Sequence, residues 1–72
     1  MSKATNKQID GNHYKGMAIQ PIEYIYKNNI PYLEGNAIKY ISRHKNKHGI
    51  IDLRKAKHYL ELIAELEYGE EL

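Results

Sequence analysis

The stretch "DLRKAKHYLELIAEL", residues 52–66, decides the fold. Leu53, Ala56, Leu60 and Ile63 recur at spacings of three and four, and Tyr59, Leu62 and Leu66 trace a second line beside them. That period marks one face of an α-helix. Two adjacent lines make a face too wide for one short partner helix. The helix is therefore expected to pack against two others or against another copy of the chain. Asp52 stands where a carboxylate favours a helix N-terminus, as a cap or in the first turn, and Gly69 is a natural stop.

Upstream, Pro31 can open a helix that carries Leu33, Ala37, Ile38 and Ile41 as one apolar stripe and ends around Asn46, with Gly49 as a left-handed stop. An earlier helix is expected to start near Pro21, whose fixed φ and missing N–H suit the first helical position. It should run to about Lys27 with Ile22 and Ile25 inward, and end at Asn28-Asn29. Residues 1–11 are polar and aperiodic and read as a flexible arm, and 12–72 as a single helical domain. No strand pattern, repeat or low-complexity tract appears. The expected fold class is all-α, a small three-helix domain. A chain of 72 residues buries only about 60% of its unfolded surface. With no Cys to cross-link it, assembly into a homo-oligomer is the expected remedy.

The lack of Cys also fits a reducing cytoplasm. No apolar run approaches the roughly 18 residues of a membrane helix, and the first residues lack a signal peptide's apolar segment, so no membrane partner is expected. Net charge is only +2, but its distribution is polar. From Lys39 to His58 stand Lys39, Arg43, Lys45, Lys47, Arg54, Lys55 and Lys57 against the single acid Asp52, and from Tyr59 onward come five Glu and no base. Such a layout points to one anion site or to head-to-tail contact between copies. All seven aromatic residues are Tyr, which pairs a flat apolar body with a polar tip and suits wet pockets and interfaces.

On the second expected helix, Asn36, Lys39 or Tyr40, Arg43 and Lys47 fall on one side. Like charges at successive i,i+4 positions cost a few tenths of a kcal/mol per pair with no acid between them. The negative end of the helix dipole offsets part of this for a solvated basic face. A bound phosphate offsets more, gripped by Arg43 and by Lys39 and Lys47 as point charges, with Asn36 and Tyr40 supplying neutral hydrogen bonds or a stacking ring. His13, Tyr14 and Lys15 can form a second arm of that site. Gln20 holds a cap position that Ser, Thr, Asp or Asn fill better, which leaves its amide for a ligand or as a mediocre cap. The phosphate loop, the dinucleotide fingerprint and the His-Glu-x-x-His zinc motif are absent. His44 and His48 have no evident third ligand, so no metal site is expected. Glu23, Glu34, Asp52 and Glu61 could hold Mg²⁺ only by converging in a bundle interior.

"HYKGMAIQPIEYI", residues 13–25, followed by "EGNAIKYISRHKNKHGIIDLRKAKHYLELI", residues 34–63, resembles a small-protein family of tailed bacteriophages catalogued as a domain of unknown function and labelled nucleotide kinase-like. The likeness covers about residues 12–66. It implies nucleotide handling by His13, Tyr14, Lys15, Gln20, Asn36, Lys39, Tyr40, Arg43, Lys47 and Asp52. The label comes from a longer relative that phosphorylates nucleoside monophosphates. A fainter likeness to all-α nucleotide pyrophosphohydrolases lacks their paired Glu-x-x-Glu here.

Three functions follow as expectations. The first is a phage-encoded protein that binds a linear or cyclic nucleotide without chemistry or cofactor of its own, a sponge for nucleotide messengers of host immunity. The second is a nucleoside monophosphate kinase or its accessory domain, which must hold two nucleotides in line, usually with Mg²⁺. Three short helices enclose both only if subunits share the work. The third is a nucleic-acid binder, disfavoured because the acidic last helix repels a long polyanion.

Overall fold

The computed structural model describes Tyr14 and residues 16–72. Helix α1 spans Pro21–Lys27, α2 spans Tyr32–Arg43 and α3 spans Ile50–Ile63. A 3-10 turn, His44–Asn46, follows α2, and a wider π turn, Ala64–Tyr68, continues α3. No strand occurs among the described residues. The fold is all-α and small, as the periodicity predicts. Among these residues no helix is long and apolar enough to cross a membrane.

Local chemistry sets each boundary. Pro21 takes the first position of α1, and the Gln20 N–H donates to Glu23 Oε1 at 3.2 Å, so a third-position carboxylate reaches back to the cap. Asn28 closes the helix, and Asn29 takes the positive φ of 52° that turns the chain. Gly69, with φ 66° and ψ 29°, stops the last turn. The reversal between α2 and α3 depends on Gly49, whose φ of 56° and ψ of −126° lie where a Cβ is strained.

Helix α2 is the middle element, packed against α1 on one side and α3 on the other, while α1 and α3 do not meet. At about 100° per residue, Gly35 and Tyr40 lie roughly 140° apart around α2. Gly35 meets α1: a Cβ there would sit 3.2 Å from Cγ2 of Ile25, tighter than ordinary contact, so a side chain at this position requires Ile25 to give by a few tenths of an ångström. Tyr40 meets α3 across its stacking contact with Tyr59. The body is flattened, 40 × 27 × 18 Å.

A row of helices buries little. Among the described residues, Pro21, Gly35, Ala37, Ala56 and Ala64 are buried, and the largest side chain withdrawn completely from solvent is the carboxylate of Asp52. Several positions expected inward are open. Ile22 is 64% exposed and Ile41 49%, Leu53 and Leu60 show about two-fifths of their surface, and Leu66 is largely exposed. The period assigns them to apolar stripes, but among the described residues α3 packs against only one other helix, so its stripe outruns the helical surface that covers it.

Candidate functional site

The α2–α3 seam brings together Lys39, Tyr40, Arg43 and Asp52, with Tyr14 beside Arg43, out of the ten residues that sequence reasoning singles out. At its turn end, Asp52, third residue of α3, accepts from Arg43 Nε at 3.3 Å and Nη2 at 3.1 Å. Its Oδ2 also accepts the backbone N–H of His48 at 3.2 Å, and His48 Nδ1 lies 3.9 Å from Oδ1. This is a bidentate fork joined to a cap of the α3 N-terminus. Burial disfavours the Asp52 carboxylate, but hydrogen bonds from Arg43 and His48 and their charges prevail and hold its pKa below the usual range. Burial likewise works against the Arg43 cation, while Asp52, helped by Tyr14, raises its pKa above the ordinary value. The Tyr14 phenol lies half-buried beside Arg43. Burial pushes its pKa up, although the guanidinium pulls the other way.

One turn earlier on α2, the Tyr40 ring collects cations. Lys39 Nζ lies 4.7 Å from its centroid, Arg43 Cζ 4.6 Å and Lys55 Nζ, from α3, 5.3 Å. Tyr59 stacks on the same ring at 5.9 Å between centroids and 16° between planes. Partial burial raises the Tyr59 phenol pKa, with neighbouring Tyr32 and Tyr40 adding to it. Arg43 has Asp52 as its counter-charge, whereas among the described residues no carboxylate pairs with Lys39 or Lys55. Two unneutralised ammonium groups therefore flank a two-ring aromatic platform. Each cation over a ring gains about 0.5–1 kcal/mol, and a phosphate placed between them would gain the attraction of both.

The other expected residues are placed as follows. Asn36 donates from its side chain to the Tyr32 carbonyl at 3.0 Å, a tie within its own helix. Gln20 is buried at the α1 cap. Lys47 is half-buried but does not continue the i,i+4 series of Lys39 and Arg43. The chain tightens into the 3-10 turn after Arg43, and Lys47 itself, at φ −136° and ψ −92°, has left helical geometry. His13 and Lys15 lie outside the described residues. Among those described, no three His, Asp or Glu side chains gather as metal ligands; Glu23 and Asp52 are engaged at helix starts. Lys55 and Tyr59 complete the cluster and were missed. Their i,i+4 spacing was a usable signal, but their meeting with Tyr40 depends on the α2–α3 register. Elsewhere, an open cavity of about 420 Å³ is lined by Met17, Ile19, Pro21, Tyr24, Ile38 and Ser42.

The comparison with protein families aligns residues 7–61 with DUF3310, described as a protein of unknown function. The chain belongs to the DUF3310 family. The matched span takes in α1, α2, the Arg43–Asp52 fork and the Tyr40–Tyr59 platform, so every described site residue of this DUF3310 protein lies within it. Neither the curated proteins nor the solved structures compared with the chain contain a match.

Proposed function

We propose that this DUF3310 protein binds a phosphorylated nucleotide on the Tyr40–Tyr59 platform and performs no chemistry on it. The observation that carries the reading is the convergence of Lys39, Arg43 and Lys55 on the Tyr40 ring, of which, among the described residues, only Arg43 has a carboxylate partner. A base stacked on an aromatic side chain gains about 1–3 kcal/mol, and the two lysines supply point charges for phosphate oxygens. Asp52 is not offered to the ligand: fully buried and capped by Arg43, it orders the end of the site. The likeness to tailed-phage proteins extends the proposal to a phage-encoded sponge that sequesters nucleotide messengers of host immunity in the bacterial cytoplasm.

Calorimetry with AMP, ATP and cyclic dinucleotides tests the reading. Tyr40→Ala, Lys39→Ala and Lys55→Ala are each expected to weaken binding at least about tenfold with helicity unchanged. Equal affinity of all three and the wild type overturns the platform. Arg43→Ala is a poorer probe, because it strands the buried Asp52 carboxylate and lowers stability. Two parallel assays address the competing functions. Phosphate transfer from ATP to a nucleoside monophosphate would replace the proposal by a kinase. Steeply salt-dependent binding of DNA or RNA would replace it by a polymer binder.

A further inference from the structure

Among the described residues, the side of the domain turned away from the Tyr40 cluster carries exposed apolar side chains that no other helix covers. At about 100° per residue, Ile41 lies roughly 160° around α2 from Lys39 and Arg43, and Leu53 and Leu60 lie about 140–160° around α3 from Lys55. Because Lys39, Arg43 and Lys55 meet at one ring, Ile41, Leu53 and Leu60 share the opposite face. They are 49%, 38% and 43% exposed. Ile38, roughly 160° around α2 from Tyr40, carries the apolar surface on toward the cavity beside α1.

The charges of α3 select what covers this face. Apart from the buried, Arg43-paired Asp52, the charges in the early and middle part of α3 are Arg54, Lys55 and Lys57, and those of its end and the π turn are Glu61, Glu65 and Glu67. Lys57 and Glu61, one turn apart, flank the Leu53–Leu60 line on one side. A parallel copy would set like charges against like; an antiparallel copy sets each basic half against an acidic one. We propose that the chain pairs with a second copy of itself through this face, α3 running antiparallel to α3 about a twofold axis near Leu60. Lys57 then faces Glu61 of the second copy, and the reciprocal pair forms by symmetry. Arg54 approaches Glu65 in the same register, and Leu60 packs on its own symmetry mate. A body 40 × 27 Å across presents a face on the order of 1,000 Å², enough for the roughly 800 Å² per partner of a standard interface. The pairing leaves the Tyr40 platform outward on both copies and does not depend on the proposed ligand.

Light scattering and sedimentation of the full chain at high-micromolar concentration test the pairing. The expected mass is twice the 8.4 kDa of one chain. Lys57→Glu alone and Glu61→Lys alone each create two like-charge contacts and are expected to raise the dissociation constant at least about tenfold. The combined Lys57→Glu/Glu61→Lys variant restores complementarity and the wild-type mass. Leu60→Asp gives a monomer whose helical circular dichroism matches the wild type. A wild-type monomer at these concentrations overturns the proposal, as does a dimer that none of the four variants alters. So does a combined variant no tighter than the single ones. A monomer that Leu60→Asp destabilises assigns the face to another segment of the same chain, and also overturns it.

Discussion

Asp52→Asn changes the most buried side chain of the described fold by one charge and one acceptor while keeping its shape. The carboxylate receives three hydrogen bonds, two from Arg43 and one from the His48 N–H, at 3.1 to 3.3 Å. An amide offers a single oxygen, and its NH₂ would confront groups that also donate. At least one donor loses its acceptor, at about 1–3 kcal/mol, and the Arg43 cation loses its counter-charge. Breaking a buried ion pair from one side costs about 3–5 kcal/mol. The Arg43 side chain is 12% exposed, so water recovers a part, and the expected loss is about 3 kcal/mol. For 72 residues the whole stability is about 4–11 kcal/mol. At about 4–8 °C per kcal/mol for a domain of this size, melting should fall by roughly 12–24 °C, read by helical circular dichroism at one fixed protein concentration. The combined Arg43→Met/Asp52→Leu replacement leaves no buried charge and should regain most of the loss. A fall of less than about 4 °C for Asp52→Asn, or a double variant as unstable as the sum of both single changes, refutes the reasoning.

The same carboxylate sets the acid limb of stability. Its folded pKa is depressed, so its contribution is full above the unfolded value near 3.9 and is lost as pH falls through the folded value. Asp52→Asn should flatten that limb in acid titrations followed by circular dichroism. At the alkaline end, the raised Tyr14 and Tyr59 phenols favour folding fully below about pH 10, and this is lost as pH rises through their folded values. Tyrosinate absorbance should show late components, one removed by Tyr14→Phe and one by Tyr59→Phe. Gly49→Ala forces a side chain onto a positive φ and should cost about 1–3 kcal/mol by urea denaturation.

Periodicity and punctuation carried most of the fold. Pro21, Asn28, Pro31, Gly49 and Gly69 each mark a boundary near where it occurs, because each acts through its own backbone chemistry rather than through distant contacts. Burial was less legible. Leu53 and Leu60 have the spacing of core residues, and only the arrangement of the helices in a row, with α3 on its outer edge, reveals that nothing in the described chain covers them. The site divides the same way. Lys39, Tyr40 and Arg43 are visible as a helical stripe, but Lys55 and Tyr59 join them through an antiparallel register set by the Gly49 reversal. Asp52 reads as a helix-start acid, which it is; its second role, holding Arg43, needs a contact nine positions back that local spacing does not encode.

The antiparallel seam also gives the molecule a long-range electric asymmetry. The glutamates of the π turn and tail continue past Ile63, at the end of α3 remote from the Arg43–Asp52 turn, so the negative and positive poles stand apart along a body 40 Å long. With a screening length of about 8 Å at physiological salt, this asymmetry acts most strongly at low ionic strength. A small polyanion diffusing nearby is turned toward the lysine pole before contact. For the nucleotide ligand proposed above, the association rate should fall steeply as ionic strength rises, while departure, which in that proposal is governed by short-range ring contacts, should respond far less.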